Sequence, residues 1–169
     1  MQRVHPSRDA LRTWPSADVF VLDHPGSLEE EALQMLASQM RRGKGLLYIT
    51  SEMVDATNLQ QFADLLGNDF QPPVEMIPPV ENAARKDLFV RKVQSRDGPF
   101  SVLGTNNAAP LLKAVRFQGG LATRASANGM SDQILAELSD TSALMYLSSV
   151  GSGQLAVLNA DLMRSNWSV

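Results

Sequence analysis

Residues 17–50 read ADVFVLDHPGSLEEEALQMLASQMRRGKGLLYIT, and this stretch decides the fold. Residues 19–22 are four apolar residues in a row, which is typical of a strand covered on both faces. Residues 23–26 read DHPG, a group of turn formers that ends this strand. Residues 46–49 form a second apolar run of the same kind. The stretch therefore predicts two buried strands with one connecting segment between them.

The connecting segment has the pattern of a single amphipathic helix. Ser27 is placed to be its N-cap, and Glu30 three residues later completes the capping-box pattern. Gly43 and Gly45 end the helix before the second strand begins. Apolar side chains recur at helical spacing, namely Leu28, Ala32, Met35, Leu36 and Met40. Two buried strands joined by one such helix predict a right-handed parallel βαβ unit.

The rest of the chain predicts a second helix followed by short strands. The helix is expected over residues 55–66 and is ended by Gly67. Pairs of prolines exclude residues 68–82 from any central strand, and residues 86–94 are expected to form an edge strand. A short helix capped by Asn106 or Asn107 is expected to follow. Turn residues then separate runs that predict antiparallel hairpins, at 120–127, 133–139, 143–150 and 154–158.

These patterns predict one α/β domain over residues 1–169, with a mainly parallel sheet and an antiparallel C-terminal extension. We expect a three-layer, flavodoxin-like sandwich. Because the domain opens almost directly on a core strand, we expect the chain to be a piece of a longer polypeptide.

Composition excludes several classes of function. The net charge of −3 argues against a nucleic-acid-binding surface, because phosphate contacts require a basic stripe. The chain has no cysteine, and its two histidines, His5 and His24, are too few and too far apart for a metal cluster. We expect no metal and no cofactor. No apolar run approaches the roughly 20 residues of a bilayer span, so this segment is not expected to insert into a membrane.

Polar residues follow the apolar strands at the edge where α/β sheets bind ligands. Asp23 and His24 follow the first strand, Thr50, Ser51 and Glu52 follow the second, and Asp161 follows the last. In a functional interpretation these side chains contact a ligand, and the helix start near Ser27 offers N–H groups to an anion. In a structural interpretation Asp23 and Ser27 cap the helix and His24 is a solvated turn residue. Turn chemistry explains each of these residues, which favours the structural interpretation.

Known catalytic patterns are missing. The sequence contains neither G-x-x-x-x-G-K-S/T nor G-x-G-x-x-G, which excludes the common phosphate-binding loops. Ser51 lacks the flanking glycines of a nucleophile elbow, and no histidine follows His24. We therefore predict no catalytic residue.

Two segments together resemble a known superfamily. The 17–50 stretch resembles class I glutamine amidotransferase-like proteins, with an apolar strand, a Pro/Gly turn, an acidic helix that starts at a leucine, and a second apolar strand. It looks more closely like the amidotransferase-like segment of large bacterial membrane-anchored proteins, including BatA and von Willebrand A-type proteins of planctomycetes. Residues 151–169, GSGQLAVLNADLMRSNWSV, are similar to the closing piece of those segments.

The resemblance implies a non-catalytic member. Catalytic relatives have a cysteine between glycines at the position of Thr50, where this chain has Tyr48 and Glu52 as the flanking residues. Their oxyanion-loop glycines correspond to residues 23–26, of which only Gly26 remains. Their histidine and glutamate fall near residues 159–161, where this chain has no histidine. A threonine without a neighbouring base is not an activated nucleophile.

The function implied by the resemblance is therefore a binding or scaffolding module. Its partners would be other domains or subunits of a membrane-associated assembly. One alternative is a small-molecule sensor or unorthodox enzyme that uses the rim formed by Asp23, Ser51, Glu52 and Asp161. Another is an interaction module that pairs through an exposed edge strand of the C-terminal meander.

Overall fold

The computed structural model describes residues 17–79, 85–94, 112, 114–127, 129–130 and 133–166. Two α-helices, one short 3₁₀-helix (Gly67–Asp69) and eight strands are defined among these residues. The helices are α1 (Glu30–Arg41) and α2 (Met53–Leu66). The strands are β1 (Val19–Asp23), β2 (Gly45–Thr50), β3 (Val74–Ile77), β4 (Val90–Val93), β5 (Ala122–Ala125), β6 (Ile134–Leu138), β7 (Ala143–Val150) and β8 (Gly153–Asn159).

The strands form a six-stranded sheet in the order β1-β2-β8-β7-β6-β4 and a two-stranded sheet of β3 and β5. The β1–β2 and β2–β8 pairs are parallel, whereas the other three pairs of the large sheet are antiparallel. The predicted α/β class and the antiparallel C-terminal strands are confirmed. The parallel part is smaller than predicted, because it is confined to β1, β2 and β8.

Two strands have partners that sequence periodicity did not indicate. We expected β5 to form a hairpin with β6, but β5 pairs with β3 in the small antiparallel sheet. The last strand, β8, lies in the middle of the large sheet, between β2 and β7. Its pairing with β7 is the predicted hairpin, whereas its pairing with β2 joins residues about a hundred positions apart.

The main core lies between one face of the large sheet and the two helices. Its buried side chains come from both helices and from five strands, and they include Phe20, Leu22, Leu36, Met40, Leu46, Phe62, Leu155 and Val157. Burying one such side chain stabilises the fold by about 1.5–3 kcal/mol. The apolar stripe of α1, with Leu36 and Met40 almost fully buried, accounts for its position on the sheet.

A second core lies near the other end of the sheet. It is formed by Leu88, Val90, Phe117, Ala136, Leu138, Leu144 and Ala160. Here β4 is the last strand in the order, which confirms the predicted edge strand. Leu112 and Ala114 are helical, but the predicted cap at Asn106 or Asn107 lies outside the described residues. In the described part of the chain, no helix is long and apolar enough to cross a membrane.

The predicted burial of β1 on both faces is wrong. Phe20 and Leu22 face the helices and are buried, but Val19 is 61% exposed and Val21 is 46% exposed on the other face. The reason is that α1 and α2 pack on the face that carries Phe20 and Leu22, while β1 is also first in the strand order and has one strand neighbour in the described sheet. An unbroken apolar run does not distinguish an edge position from a central one.

The predicted N-cap of α1 is also wrong. The helix begins at Glu30, and Glu29 is its extended N-cap residue, without a side-chain cap from the described residues. Ser27 lies before this point and does not cap the helix. Instead, the N–H of Leu28 donates to Oδ1 of Asn58, which belongs to α2. The end of α2 is as predicted, because Gly67 follows it with a φ of +57°.

Candidate functional site

The carboxyl ends of the three parallel strands meet at one edge of the sheet. The strand register aligns Asp23 with Ile49, and Thr50 with Asn159. Asp161 follows β8 by two residues. The six candidate residues from the sequence thus come from the ends of β1, β2 and β8, as we expected. The contacts of each side chain determine whether it is available to a ligand.

The start of α2 is occupied by a carboxylate of the same helix. Asp55 is 1% exposed, and its Oδ2 accepts the N–H groups of Ser51 at 2.9 Å and Glu52 at 3.0 Å. Its Oδ1 accepts the hydroxyl of Tyr48 at 3.2 Å. An acidic group at this position is stabilised by the helix dipole. These N–H groups, which bind anions in many α/β proteins, are therefore already satisfied.

Asn58 connects α2 to the turn that precedes α1. Its Nδ2 donates to the hydroxyl of Tyr48 at 2.8 Å and to the carbonyl of Gly26 at 2.6 Å, while its Oδ1 accepts from Leu28. Asn58 is 1% exposed, and its bonds with Tyr48 and Leu28 are buried, whereas its bond to Gly26 is partly buried. Burial raises the pKa of Tyr48 far above its usual value, the hydrogen bond from Asn58 lowers it, and the charge of Asp55 raises it further. Tyr48 therefore stays protonated and serves as a donor to Asp55.

His24 lies between two carboxylates. Its Nδ1 is 3.5 Å from Oδ2 of Asp55, and its Nε2 is 3.7 Å from Oδ1 of Asp23. Both ring nitrogens are shielded from solvent, and neither has a hydrogen-bond partner among the described residues. The backbone φ of His24 is +45°, a left-handed conformation that non-glycine residues adopt infrequently. His24 is thus a turn residue, as the structural interpretation held, but its side chain packs inward over α2.

Thr50, the last residue of β2, is fully buried. Its Oγ1 donates to Oδ1 of Asn159 at 3.1 Å. The same Oδ1 accepts the N–H of Leu121 at 2.7 Å, and Nδ2 of Asn159 donates to the carbonyls of Leu121 and Ala143. Asn159 therefore makes four hydrogen bonds to three segments of the chain. The Thr50 hydroxyl is part of this buried network.

Asp161 fixes the turn that follows β8. Its Oδ1 accepts the N–H groups of Met163 and Arg164 at 3.0 and 3.1 Å, and its Oδ2 is 3.3 Å from Nε of Arg164. Its own N–H donates to the carbonyl of Gln118 at 2.9 Å. The carboxylate is therefore engaged in local structure.

Residues 117–121 cross the ends of β2 and β8 and close this part of the edge. Gly119 and Gly120 both have positive φ. A Cβ on Gly120 would lie 2.6 Å from the carbonyl oxygen of Asn159, and a Cβ on Gly119 would lie 2.8 Å from the Cβ of Asp161. Such close approach is possible only for glycine. The Gly-Gly pair therefore lets the crossing segment lie directly on Asn159 and Asp161.

The remaining candidates form an open acidic rim. Asp23 and Glu52 are exposed, and Ser51 is half-buried. Two carboxylates and a hydroxyl can accept hydrogen bonds or donate one, but they supply no activated nucleophile. No group of three His, Cys, Asp or Glu side chains in the described residues could hold a metal ion.

Sequence reasoning missed Asp55, Asn58, Asn159 and Gly120 as determinants of this edge. The sequence pattern places Asp55 and Asn58 only within a helix, and it indicates Asp161 rather than Asn159 as the residue of interest after the last strand. The available signals were an acidic residue in the first turn of a helix and a Gly-Gly pair beside a strand.

A groove of about 420 Å³ lies apart from this edge, between α2 and β3. Its lining includes Met53, Gln60, Val74, Met76 and Tyr146. The candidate residues from the sequence do not line this groove.

Solved structures with a similar fold exist, although the comparisons of sequence find no match. No protein-family model matches the chain, and no curated protein sequence matches it significantly. Cytoplasmic Protein STM1381 from Salmonella typhimurium LT2 is similar in structure, with a TM-score of 0.58 and 16% identity over 89% of this chain and 63% of that chain. Cytoplasmic Protein STM3548 from Salmonella typhimurium has a TM-score of 0.56 and 16% identity, over 94% of this chain and 65% of that chain.

The N-terminal domain of mmIFT52 is also similar, with a TM-score of 0.58 and 13% identity over 92% of this chain and 71% of that chain. This chain thus spans slightly less than two thirds of the length of the two Salmonella proteins. At these identities the similarity shows the fold and nothing more.

Proposed function

We propose that this chain is a non-catalytic, amidotransferase-like binding or scaffolding module with a three-layer, flavodoxin-like architecture. The observation that carries the proposal is the closure of the strand ends by the chain itself. Asp55 satisfies the N–H groups at the start of α2, and Asn159 holds residues 117–121 over the end of β2. A catalytic α/β site requires these positions to be open to a substrate.

The position of the family nucleophile supports the same proposal. Thr50 is 0% exposed, and its hydroxyl donates to an amide oxygen, which cannot remove a proton from it. A threonine in this setting lacks both access to substrate and a general base. The resemblance to segments of membrane-anchored proteins supports a place for this module in a membrane-associated assembly, beside other domains or subunits.

A glutaminase assay tests the absence of catalysis. We expect no release of ammonia from glutamine above background, for either the natural chain or the Thr50→Ala variant. Turnover by the natural chain that is lost in Thr50→Ala would overturn the proposal. Thr50→Val is the matched control, because it keeps the shape of the side chain and removes the same hydroxyl.

The alternative, a small-molecule sensor at the acidic rim, is favoured by the exposure of Asp23 and Glu52. NMR titration with glutamine, Mg²⁺ and inorganic phosphate separates the two functions. We expect the backbone amides of Ser51 and Glu52 to keep their chemical shifts, because Asp55 already binds them. A saturable shift at these amides that is absent in Glu52→Gln would favour the sensor.

A further inference from the structure

The groove between α2 and β3 is lined from the large sheet by a buried tyrosine. Tyr146 belongs to β7, is 2% exposed and is one of the residues that line the groove. In the part of the chain that the structure describes, no group forms a hydrogen bond with its hydroxyl. A buried tyrosine hydroxyl usually has such a partner. The Tyr146 hydroxyl is therefore an unused donor and acceptor.

This hydroxyl is not sealed inside the core. Among the described residues, the side-chain polar atoms that are both shielded from solvent and without a partner belong to His24, Gln133 and Ser148. The hydroxyl of Tyr146 has no partner and is not one of these shielded atoms, so it keeps some contact with solvent. Because the rest of Tyr146 is buried and the residue lines the groove, the hydroxyl is reached through the groove.

The walls of the groove are largely apolar. Leu59 and Val74 are buried, and Met53 and Met76 are half-buried. Methionine side chains are flexible and adapt to molecules of different shapes. The volume of about 420 Å³ lies within the range of small-molecule pockets.

The charge along the groove argues against a charged ligand. Among the described residues that line it, Glu75 is the one with a charged side chain. Its Oε2 accepts a hydrogen bond from Nε of Arg124 at 2.7 Å, so its charge is already paired. An anion in the groove would have no cationic side chain beside it and would lose its hydration. A neutral molecule avoids this cost.

The uncharged polar side chains of the groove are engaged or exposed. The hydroxyl of Thr57 donates to a backbone carbonyl of its own helix at 3.1 Å. Nε2 of Gln60 donates to Oδ1 of Asp64 at 3.0 Å, and Gln61 is exposed. The hydroxyl of the buried tyrosine is thus the unused polar group that a molecule inside the groove would meet.

We propose that this groove binds a small, neutral, mostly apolar molecule with an oxygen atom that accepts a hydrogen bond from Tyr146. A peptide segment fits less well, because its backbone carries an N–H and a C=O at almost every residue, which would lack partners along apolar walls. The inference goes beyond the proposed function, since the groove lies apart from the closed edge of the sheet. Glutaminase turnover would therefore overturn the proposed function and leave this inference standing.

Three naphthalene probes test the inference, namely acetonaphthone, ethylnaphthalene and naphthoate. They share an apolar body, but the first carries a ketone oxygen, the second carries no oxygen and the third is an anion. NMR titration of the chain, with carbon-13 in its methionine methyl groups, measures the affinity of each probe. Met53 and Met76 report on the groove, whereas Met163, which is 90% exposed and does not line it, reports on non-specific binding.

We expect acetonaphthone to shift the signals of Met53 and Met76 saturably and to leave that of Met163 unchanged. Tyr146→Phe should weaken its binding about fivefold, which corresponds to the loss of one hydrogen bond. The same substitution should not change the affinity for ethylnaphthalene, which has no oxygen. Naphthoate should bind more weakly than acetonaphthone. Tyr48→Phe is the matched control, because it removes a buried hydroxyl that does not line the groove, and it should leave the affinity for acetonaphthone unchanged.

Several results would overturn the inference. One is the absence of saturable shifts at Met53 and Met76, which includes the case in which residues of this chain outside the described ranges fill the groove. Another is equal affinity of the natural chain and Tyr146→Phe for acetonaphthone, and a third is tighter binding of naphthoate. Urea denaturation without a probe adds a structural check. Tyr146→Phe should not lower the free energy of unfolding at neutral pH, and a loss would show that the hydroxyl has a partner within the protein.

Discussion

At the scale of single residues, Asn159 has the largest influence on the closed edge of the sheet. Its side chain is 1% exposed and joins β2, β7 and residue 121 through four hydrogen bonds. A buried amide of this kind leaves several backbone groups unsatisfied when it is removed, and each such group destabilises the fold by about 1–3 kcal/mol.

We expect Asn159→Ala to lower the free energy of unfolding by about 3 kcal/mol or more. The matched control is Thr50→Val, which loses one hydrogen bond to the same amide and should lower it by about 1 kcal/mol. Urea denaturation followed by circular dichroism measures both values. Equal losses for the two variants would contradict the central role of Asn159.

Alanine substitutions at two glycines should distinguish the destabilisation caused by backbone strain from that caused by steric contact. Gly26 and Gly120 have φ values of +71° and +66°, but a Cβ on Gly26 would meet nothing within 4 Å, whereas one on Gly120 would lie 2.6 Å from a carbonyl oxygen. Gly26→Ala should therefore destabilise the fold by about 1–2 kcal/mol, from the left-handed backbone alone. Gly120→Ala should destabilise it by roughly 3 kcal/mol or more, because the crossing segment must also move. Thermal unfolding of the two variants in parallel measures the difference, and similar melting temperatures would contradict the close contact.

At the scale of the elements, the start of α1 is set by α2. The turn before α1 is held through Leu28 and Gly26, which both bind the side chain of Asn58. The two helices and the turn therefore form one unit, and a local capping pattern in the sequence does not describe it.

We expect Asn58→Ala to lower the free energy of unfolding by about 3 kcal/mol, because it removes two buried hydrogen bonds and one that is partly buried. Ser27→Ala should change it by less than about 0.5 kcal/mol, since Ser27 is exposed and lies outside the helix. Urea denaturation of both variants provides the comparison. A larger loss for Ser27→Ala than for Asn58→Ala would restore the N-cap that the sequence predicted.

At the scale of the whole molecule, the two tyrosines of the chain make the free energy of unfolding depend on pH in the alkaline range. Burial raises the pKa of Tyr146, as it does that of Tyr48. Tyrosine in an unfolded chain loses its proton near pH 10. Above this pH the unfolded state releases protons that the folded state keeps, so the free energy of unfolding falls as pH rises.

The expected slope is up to about 1.4 kcal/mol per pH unit for each tyrosine. Tyr146→Phe should remove one such contribution between about pH 10 and 12. The double variant Tyr48→Phe/Tyr146→Phe should remove both and keep any contribution from lysines. Urea denaturation at a series of pH values gives the slopes. An unchanged slope in the double variant would contradict the burial of the two hydroxyls.

The whole-molecule arrangement depends on one long-range pairing. Because β8 lies between β2 and β7, it joins the parallel strands of the first third of the chain to the antiparallel strands of the last third. β8 also contributes to both cores. Leu155 and Val157 belong to the main core, and Leu158 packs against the second core.

The sequence alone determined the features that depend on near neighbours. The apolar runs and helical spacing of residues 17–50 predict β1, α1 and β2 and the parallel pairing of the two strands. This is possible because the spacing of apolar residues along the sequence differs between a helix and a buried strand. The prolines of residues 72–79 predict that this stretch stays outside the central sheet, because proline lacks an N–H for the ladder. The sequence also predicts that Asp23, Thr50 and Asp161 lie at one edge of the large sheet.

Only the tertiary structure decided which side chains complete that edge. Thr50 and Asn159 are 109 residues apart in sequence, and Leu28 and Asn58 are 30 apart, yet each pair is joined by a buried hydrogen bond. The exposure of Val21 likewise depends on which face of the sheet the two helices cover. The spacing of apolar residues shows on which side of its own helix or strand a residue lies. These contacts depend instead on which elements become neighbours after folding.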